Sequence, residues 1–296
     1  MRYDAQHAWV EPARPRAALW RLVIGVILSL AIYASFIAGA GILAGLVAPY
    51  QSETVFFEIE QGADTPRAML VLLFHFVFFA AAPLIVARVL HGLGPIMVTG
   101  PLSPLVRDFL KCLRNLVLLS VVMMLILVGG EGEAPIQHLE FGHWLVLLPF
   151  ALLGVLIQTS AEEIAFRGYI QQQLAARFRS PLMWMVMPSV LFGMGHYAQV
   201  GFGANAWFVV AWAAAFGCAA ADLTARAGNL GPAIAFHFAN NVIAVVLVAL
   251  PDNMSGLALY HYPFDGTDAE ALQPYILLDL VYLGVAWLAC RVALRR

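Results

Sequence analysis

The sequence predicts an all-α, polytopic membrane protein of about eight transmembrane helices. Of its 296 residues, 62% are hydrophobic and only 11% are charged, and the mean hydropathy is +0.82. A soluble domain carries about 25% charged residues, so this chain lacks the polar side chains needed to cover a water-facing surface. Its apolar residues also form stretches of about 20, the length that a helix needs to cross a bilayer.

Eight apolar stretches are candidate spans. They lie at about 19–48, 69–91, 109–128, 143–166, 182–200, 205–224, 230–250 and 275–293. The first follows Arg14 and Arg16 but is far longer than the 7–15 apolar residues of a cleavable signal peptide, so we expect a retained helix. The fourth continues past the membrane as an amphipathic helix to Phe178, and Ser180-Pro181 then breaks it.

The distribution of charge predicts the orientation. Basic residues gather before the first span, in the even-numbered connections and at the C-terminus, whereas the odd-numbered connections are acidic. Basic loops stay in the cytoplasm, so we expect both termini there, in the inner (plasma) membrane. The two longer loops, 49–68 and 251–274, then lie on the outer face. The aromatic run from Tyr260 to Phe264 predicts anchoring at the membrane surface.

Other classes of function find little support. No basic run indicates a nucleic-acid partner. Cys112, Cys218 and Cys290 are isolated in apolar stretches, which predicts core packing. We divide the chain into N-terminal helices and loops (1–142), a core of four helices (143–250), and an outer loop with a last helix (251–296).

Three polar clusters interrupt the apolar stretches of that core. They are Glu162-Glu163-x-x-x-Arg167, Phe192-x-x-x-His196 and His237-x-x-x-Asn241. An acid at the centre of a membrane helix costs roughly 2.5–3.5 kcal/mol even on lenient scales. Because folding does not require that cost, the clusters predict a functional site.

Helix geometry predicts that the clusters meet. Glu162 and His196 lie at similar distances from the turn at Ser180-Pro181, so an antiparallel hairpin brings them to roughly the same depth. His237 and Asn241 are four residues apart and share one helix face near the cytoplasmic boundary. We expect one cavity in the cytoplasmic half of the bilayer.

The first cluster separates into two roles. Glu163 and Arg167 are four residues apart in the favourable order for an ion pair within one helix. Glu162 points about 100° away from Glu163 and lacks that partner, so it is the candidate general base.

With these motifs the chain resembles the CPBP family (CAAX protease and bacteriocin-processing, or Abi, proteins) of intramembrane endopeptidases. That family carries EExxxR, FxxxH and HxxxN or HxxxB on successive helices of a four-helix catalytic core. The flanking segments 166–169 and 228–233 are similar too. The resemblance covers roughly 145–250 and implies hydrolysis of a peptide bond in a membrane-associated protein or peptide.

The resemblance also implies roles. Glu162 and His196 would hold and deprotonate water, and His237 and Asn241 would donate hydrogen bonds to the oxyanion. Glu163 and Arg167 would position the helix or the polar end of the substrate. Zinc is a possible cofactor, held by Glu162, His196 and His237, but a water activated by Glu and His does not require it.

Other readings of the clusters remain open. They could form an interhelical hydrogen-bond network, relay protons in a transporter, or belong to a noncatalytic scaffold. No inverted repeat supports a transporter, and no GxSG-like or GxGD motif indicates another protease type. Lone His75 is expected to be satisfied in the core, while His138 and His143 beside Glu140 form at most a weak outer metal site.

Overall fold

The computed structural model describes residues 3–127, 134–251 and 253–295. The helices are α1 Asp4–Val10, α2 Leu19–Val47, α3 Pro49–Glu60, α4 Pro66–His91, α5 Pro95–Thr99, α6 Leu102–Leu127, α7 Phe141–Arg177, α8 Leu182–Met194, α9 Gln199–Ala227, α10 Gly231–Leu247 and α11 Ala269–Leu294. A 3₁₀ turn, Glu11–Arg16, follows α1. Three two-residue strands are β1 Ile136–Gln137, β2 Val248–Ala249 and β3 Tyr260–His261.

The chain is an all-α, multi-pass membrane protein, as predicted. Five helices (α2, α4, α7, α9 and α11) are long and apolar enough to cross a membrane, and α6 covers most of the predicted third span. Two predicted spans are shorter than expected. The stretch 182–200 is helical only to Met194, because the chain turns at Gly195 and His196, and the stretch 230–250 is helical from Gly231 to Leu247.

The N-terminal segment packs against the end of the core where α7 finishes. The Tyr3 hydroxyl donates to Asp222 Oδ1 of α9 at 2.7 Å. The Gln172 side chain donates to the backbone oxygen of Trp9 at 3.3 Å. Polar residues on α7 beyond the apolar stretch therefore serve as anchors for residues 3–16, a contact that hydropathy does not predict.

At the opposite end of the helices, segments from three connections between helices pack together as one layer. The strand order is β1-β3-β2, with β1 antiparallel and β2 parallel to β3. The backbone N–H of Met254 donates to Gly62 at 2.7 Å, and Ser255 Oγ donates to Asp64 at 2.6 Å. We call segments 61–65, 134–140, 248–251 and 253–268 the loop layer.

Small residues bring α8 close to α9. A Cβ added at Gly193 would lie 2.6 Å from the Val210 backbone oxygen, and one at Gly217 would lie 2.8 Å from Ser189 Cβ. In membranes, where lipid is as apolar as the side chains, such close backbone approach supplies much of the helix association. The α8–α9 contact thus fixes the position of Phe192, which precedes Gly193.

The turn between α9 and α10 is anchored by α6. Gly228 adopts φ 69° and ends α9 in the left-handed conformation that glycine tolerates best. Asn229 accepts the Gly231 N–H at 2.9 Å and donates to Asp108 of α6 at 3.1 Å. These bonds fix where α10 begins, and so the depth of His237.

Candidate active site

The two glutamates lie where the winding of α7 changes. The α-helical part ends at Glu163, and Ile164–Gln171 continues as π-helix. Wide turns of this kind are uncommon and frequently occur at functional sites, because they redirect side chains without ending the helix. Here the wide turns carry Arg167 on the segment directly after the two acids.

Glu163 is the buried centre of an ionic cluster. Its Oε1 lies 2.9 Å from Arg167 Nη1 and 2.8 Å from His237 Nδ1. The side chains of Glu163 and Arg167 are 0% and 2% exposed. The ion pair within α7 is therefore present, but Glu163 also holds the α10 histidine, a contact that the sequence did not reveal.

Glu162 faces the other way and is held by amides. Its Oε1 accepts a hydrogen bond from Gln158 Nε2 at 2.8 Å, one helical turn earlier. Gln158 Oε1 in turn accepts from Asn241 Nδ2 at 2.9 Å. Gln158 thus joins Glu162 on α7 to Asn241 on α10.

His237 stands between the two carboxylates. Its Nε2 lies 3.6 Å from Glu162 Oε2, beyond direct hydrogen-bond distance. The Glu162 side chain is 13% exposed, whereas that of Glu163 is fully buried. Glu162 Oε2, Glu163 Oε2 and Arg167 Nη2 are buried atoms without a hydrogen-bond partner among the described residues. Each of the three charged residues on α7 therefore has one polar atom that remains able to form a hydrogen bond.

Phe192 connects the remaining motif to this cluster. The Arg167 guanidinium lies 4.6 Å from its ring centroid. The rings of His196 and His237 lie 4.5 and 5.9 Å from it. One aromatic side chain thus contacts a residue of each motif, which gives a physical reason for the phenylalanine of FxxxH.

His196 is less integrated than expected. It is exposed in the turn after α8, where its Nδ1 lies 2.8 Å from the Phe192 carbonyl oxygen. Among the described residues, no hydrogen bond or ion pair joins it to Glu162 or His237. The predicted helix over 182–200 is wrong in its extent, because α8 ends at Met194 and His196 lies in the turn beyond it.

The suggested zinc site does not fit this arrangement. Within the described ranges, no three His, Cys, Asp or Glu side chains meet in a way that could hold a metal ion. His196 lies in the turn beyond the end of α8, and Glu163 is engaged with Arg167 and His237. We therefore derive no step through a metal.

Two features were missed from the sequence. Gln158 lies four residues before Glu162 in an apolar stretch, a spacing that could have identified it. Tyr33 OH lies 2.5 Å from His75 Nε2, and the His75 Nδ1 contacts the Leu72 backbone oxygen. His75 is satisfied as predicted, and only the packing of α2 against α4 reveals that its partner is the Tyr33 phenol.

The residues of the suggested outer metal site, His138, Glu140 and His143, have other contacts in the structure. Glu140 caps α7, accepting the backbone N–H groups of Gly142 and His143 at 2.9 and 2.8 Å. These bonds hold the pKa of the Glu140 carboxyl below its usual value. His138 stacks on His261 of the loop layer, with ring centroids 3.9 Å apart. Glu140 is thus a helix cap.

Comparison with known proteins finds a family match over the segment that contains the three motifs. Residues 144–243 match the family model described as Type II CAAX prenyl endopeptidase Rce1-like. A Bacillus subtilis (strain 168) protein described as "Uncharacterized protein YyaK" is 23% identical over 257 residues, which cover 84% of this chain and 85% of that protein. No solved structure matches the chain. The segment that carries all three motifs is therefore Rce1-like, and the resemblance of this chain to the CPBP family of membrane proteases is confirmed.

Proposed function

We propose that the protein is an intramembrane endopeptidase that hydrolyses a peptide bond in a membrane-associated protein or peptide, using water activated by Glu162. The observation that carries the proposal is the pair of atoms Glu162 Oε2 and His237 Nε2, 3.6 Å apart. Among the described residues, no Lys or Arg forms an ion pair with Glu162, so a polar gap of this size beside it is suited to a bound water.

The hydrogen bonds of His237 define its part. Its Nδ1 faces the Glu163 carboxylate at 2.8 Å and donates to it, so in the form with one ring proton Nε2 is an acceptor. Two acceptors, Nε2 and Glu162 Oε2, then face one another. A water that donates one hydrogen bond to Nε2 and one to Oε2 has its oxygen lone pairs directed away from these two acceptors, where they can attack a substrate. This geometry favours a water-holding role for His237 over the oxyanion role expected from the resemblance.

The reaction then follows from ordinary acid–base chemistry. Glu162 takes a proton from the water. The water oxygen attacks the peptide carbonyl carbon at the same time, which forms a tetrahedral oxyanion. The C–N bond breaks as the protonated Glu162 passes that proton to the leaving amine. The products are a carboxylic acid and an amine, and Glu162 returns to its starting state.

Oxyanion stabilisation falls to Asn241. One amide hydrogen of Asn241 binds Gln158, which leaves the second free to donate. His196 donates from Nδ1 to the Phe192 carbonyl oxygen, so its Nε2 can donate to an oxyanion only in the imidazolium form. A substrate carbonyl bound beside Asn241 completes the arrangement. Glu163 and Arg167 are too deeply buried for general contact with substrate, and their role is to position His237 and Phe192.

The substrate class is a peptide segment at the membrane boundary. We place the site in the cytoplasmic half of the inner membrane with both termini cytoplasmic, in line with the basic residues near the termini. Glu162 lies 21 residues beyond the start of α7, or about 30 Å along the helix, which is far from the loop layer. No feature of this chain specifies a prenyl group.

The test compares protein and peptide termini in cells that carry wild-type or Glu162→Gln protein at matched levels. Gln keeps the shape of Glu162 and removes its basicity, so we expect turnover to fall by about 10²–10⁴-fold with normal expression. Termini present only with the wild type identify the substrate. Equal patterns would contradict the proposal and favour a scaffold or a transporter, which solute or proton flux in liposomes would then distinguish.

A further inference from the structure

We propose that the groove between α6 and α11, at the end of the bundle away from the loop layer, binds the headgroup of an anionic phospholipid. The groove has a volume of about 520 Å³. It is lined by Lys111, Arg114, Asn115, Val292, Ala293 and Arg295. Neither the family match nor the proposed active site assigns a role to these residues.

Charge is the first argument for this ligand. Three cationic side chains line one concave surface, and its lining contains no Asp or Glu among the described residues. The positive-inside rule accounts for basic residues at this end of the protein, but it does not require that they share a groove. Basic pockets between membrane helices at this level are suited to phosphate-bearing lipid headgroups.

Preorganisation is the second argument. Asn115 donates from Nδ2 to the Ala289 backbone oxygen of α11 at 3.2 Å, which ties the two walls together. Arg114 donates from Nε and Nη2 to Asn115 Oδ1 at 3.3 and 3.1 Å. Its guanidinium is thereby held by a neutral amide, and the charge stays available for a phosphate.

The surroundings favour a lipid over a soluble anion. Beyond the groove, both helices present exposed apolar side chains toward the middle of the bundle. On α6 these include Val117, Leu118 and Val121, and on α11 they include Val281, Val285 and Leu288. A phospholipid whose headgroup binds the cations places its acyl chains along these apolar surfaces. One molecule can therefore contact both the basic groove and the apolar surfaces beside it.

The experiment uses the full-length protein, purified in detergent and delipidated. Native mass spectrometry measures binding of a phosphatidylglycerol and of a phosphatidylcholine with the same acyl chains. We expect phosphatidylglycerol to bind more tightly. Each Lys or Arg near an anionic lipid contributes roughly a factor of five in affinity, so Lys111→Gln with Arg114→Gln should weaken binding about 30-fold.

The matched control is Arg177→Gln with Arg179→Gln, which removes the same charge from exposed positions outside the groove. It should leave the preference for phosphatidylglycerol unchanged. If the groove variant melts at a lower temperature, Arg295→Gln is the substitute. Arg295 lies beyond the end of α11, and this variant should weaken phosphatidylglycerol binding about fivefold.

Three results would overturn the proposal. One is equal binding of the two lipids, and another is equal weakening by the groove and control variants. The third is displacement of phosphatidylglycerol by an equal concentration of inorganic phosphate, which would identify a site for the free anion.

Discussion

At the scale of the residue, adjacent glutamates have opposite surroundings. Glu163 is fully buried and paired with Arg167, whereas Glu162 accepts a hydrogen bond from the Gln158 amide and lies 3.6 Å from His237. Successive helical positions differ by about 100°, so one helix presents one acid to the core and the other to the site. Gln158 holds the less buried acid, Glu162, and Asn241 together, and it provides the sharpest test at this scale.

Gln158→Leu should lower kcat by roughly 10–100-fold with little change in KM. The substitution removes the bond to Glu162 Oε1 and the bond from Asn241. Misplacement of a reacting group by about 1 Å is enough for a 10²-fold loss. Steady-state kinetics on a substrate found from the termini comparison give both constants.

The control is Gln173→Leu on the same helix. Both polar atoms of the Gln173 side chain are buried without a partner among the described residues, so Leu should be neutral or stabilising there. Equal kinetic losses in the two variants would show that Gln158 has no specific role.

At the scale of the element, the site depends on the contact between α8 and α9. Phe192 touches Arg167, His196 and His237 only because Gly193 lets α8 approach the backbone of Val210. The early end of α8 at Met194 then turns His196 outward. Helix packing, and not the motif spacing alone, decides the geometry of the second motif.

Gly193→Ala should therefore reduce both thermal stability and activity. Its Cβ would lie 2.6 Å from a backbone oxygen that cannot rotate away, so the helices must separate. Overpacking of this kind costs roughly 1–3 kcal/mol. Thermal melting in detergent and turnover measure the two effects.

Gly284→Ala on α11 supplies the comparison, because nothing lies within 4 Å of its added Cβ. Alanine is the better helix former, so that variant should melt at the same or a slightly higher temperature. A Gly193→Ala protein as stable and active as Gly284→Ala would show that the close approach is not required.

At the scale of the whole molecule, the protein has two differently stabilised ends. Residues 3–16 close one end through contacts with α7 and α9, and the loop layer covers the other. The loop layer contains the stacked pair His138 and His261. Burial lowers the pKa of His138, and the nearby Asp64 carboxylate partly opposes that effect.

The loop layer should loosen as the pH falls below about 6.5, the ordinary pKa of histidine. Because the folded-state pKa of His138 is depressed, its contribution is fully present above the unfolded pKa and is lost as the pH falls through the folded value. Hydrogen exchange of segments 136–139 and 258–262, corrected for intrinsic rates, should rise between pH 7.5 and 5.5.

His138→Phe preserves a stacked ring without a titrating group and should abolish this pH dependence. His143→Gln, at an exposed position on α7, should retain it. A pH dependence that persists in His138→Phe would assign the effect to another group.

The sequence by itself determined the membrane class, the helical architecture, the polar clusters and the Glu163–Arg167 pair. These features depend on composition and on spacing within one helix, both of which are local. The tertiary structure decided that His237 bridges the glutamates, that Gln158 joins Glu162 to Asn241, that α8 ends before His196, and that Tyr33 bonds to His75. Those features depend on rotation and approach of helices far apart in the chain. Because hydropathy is almost uniform around a membrane helix, the pattern of apolar residues does not reveal which faces meet.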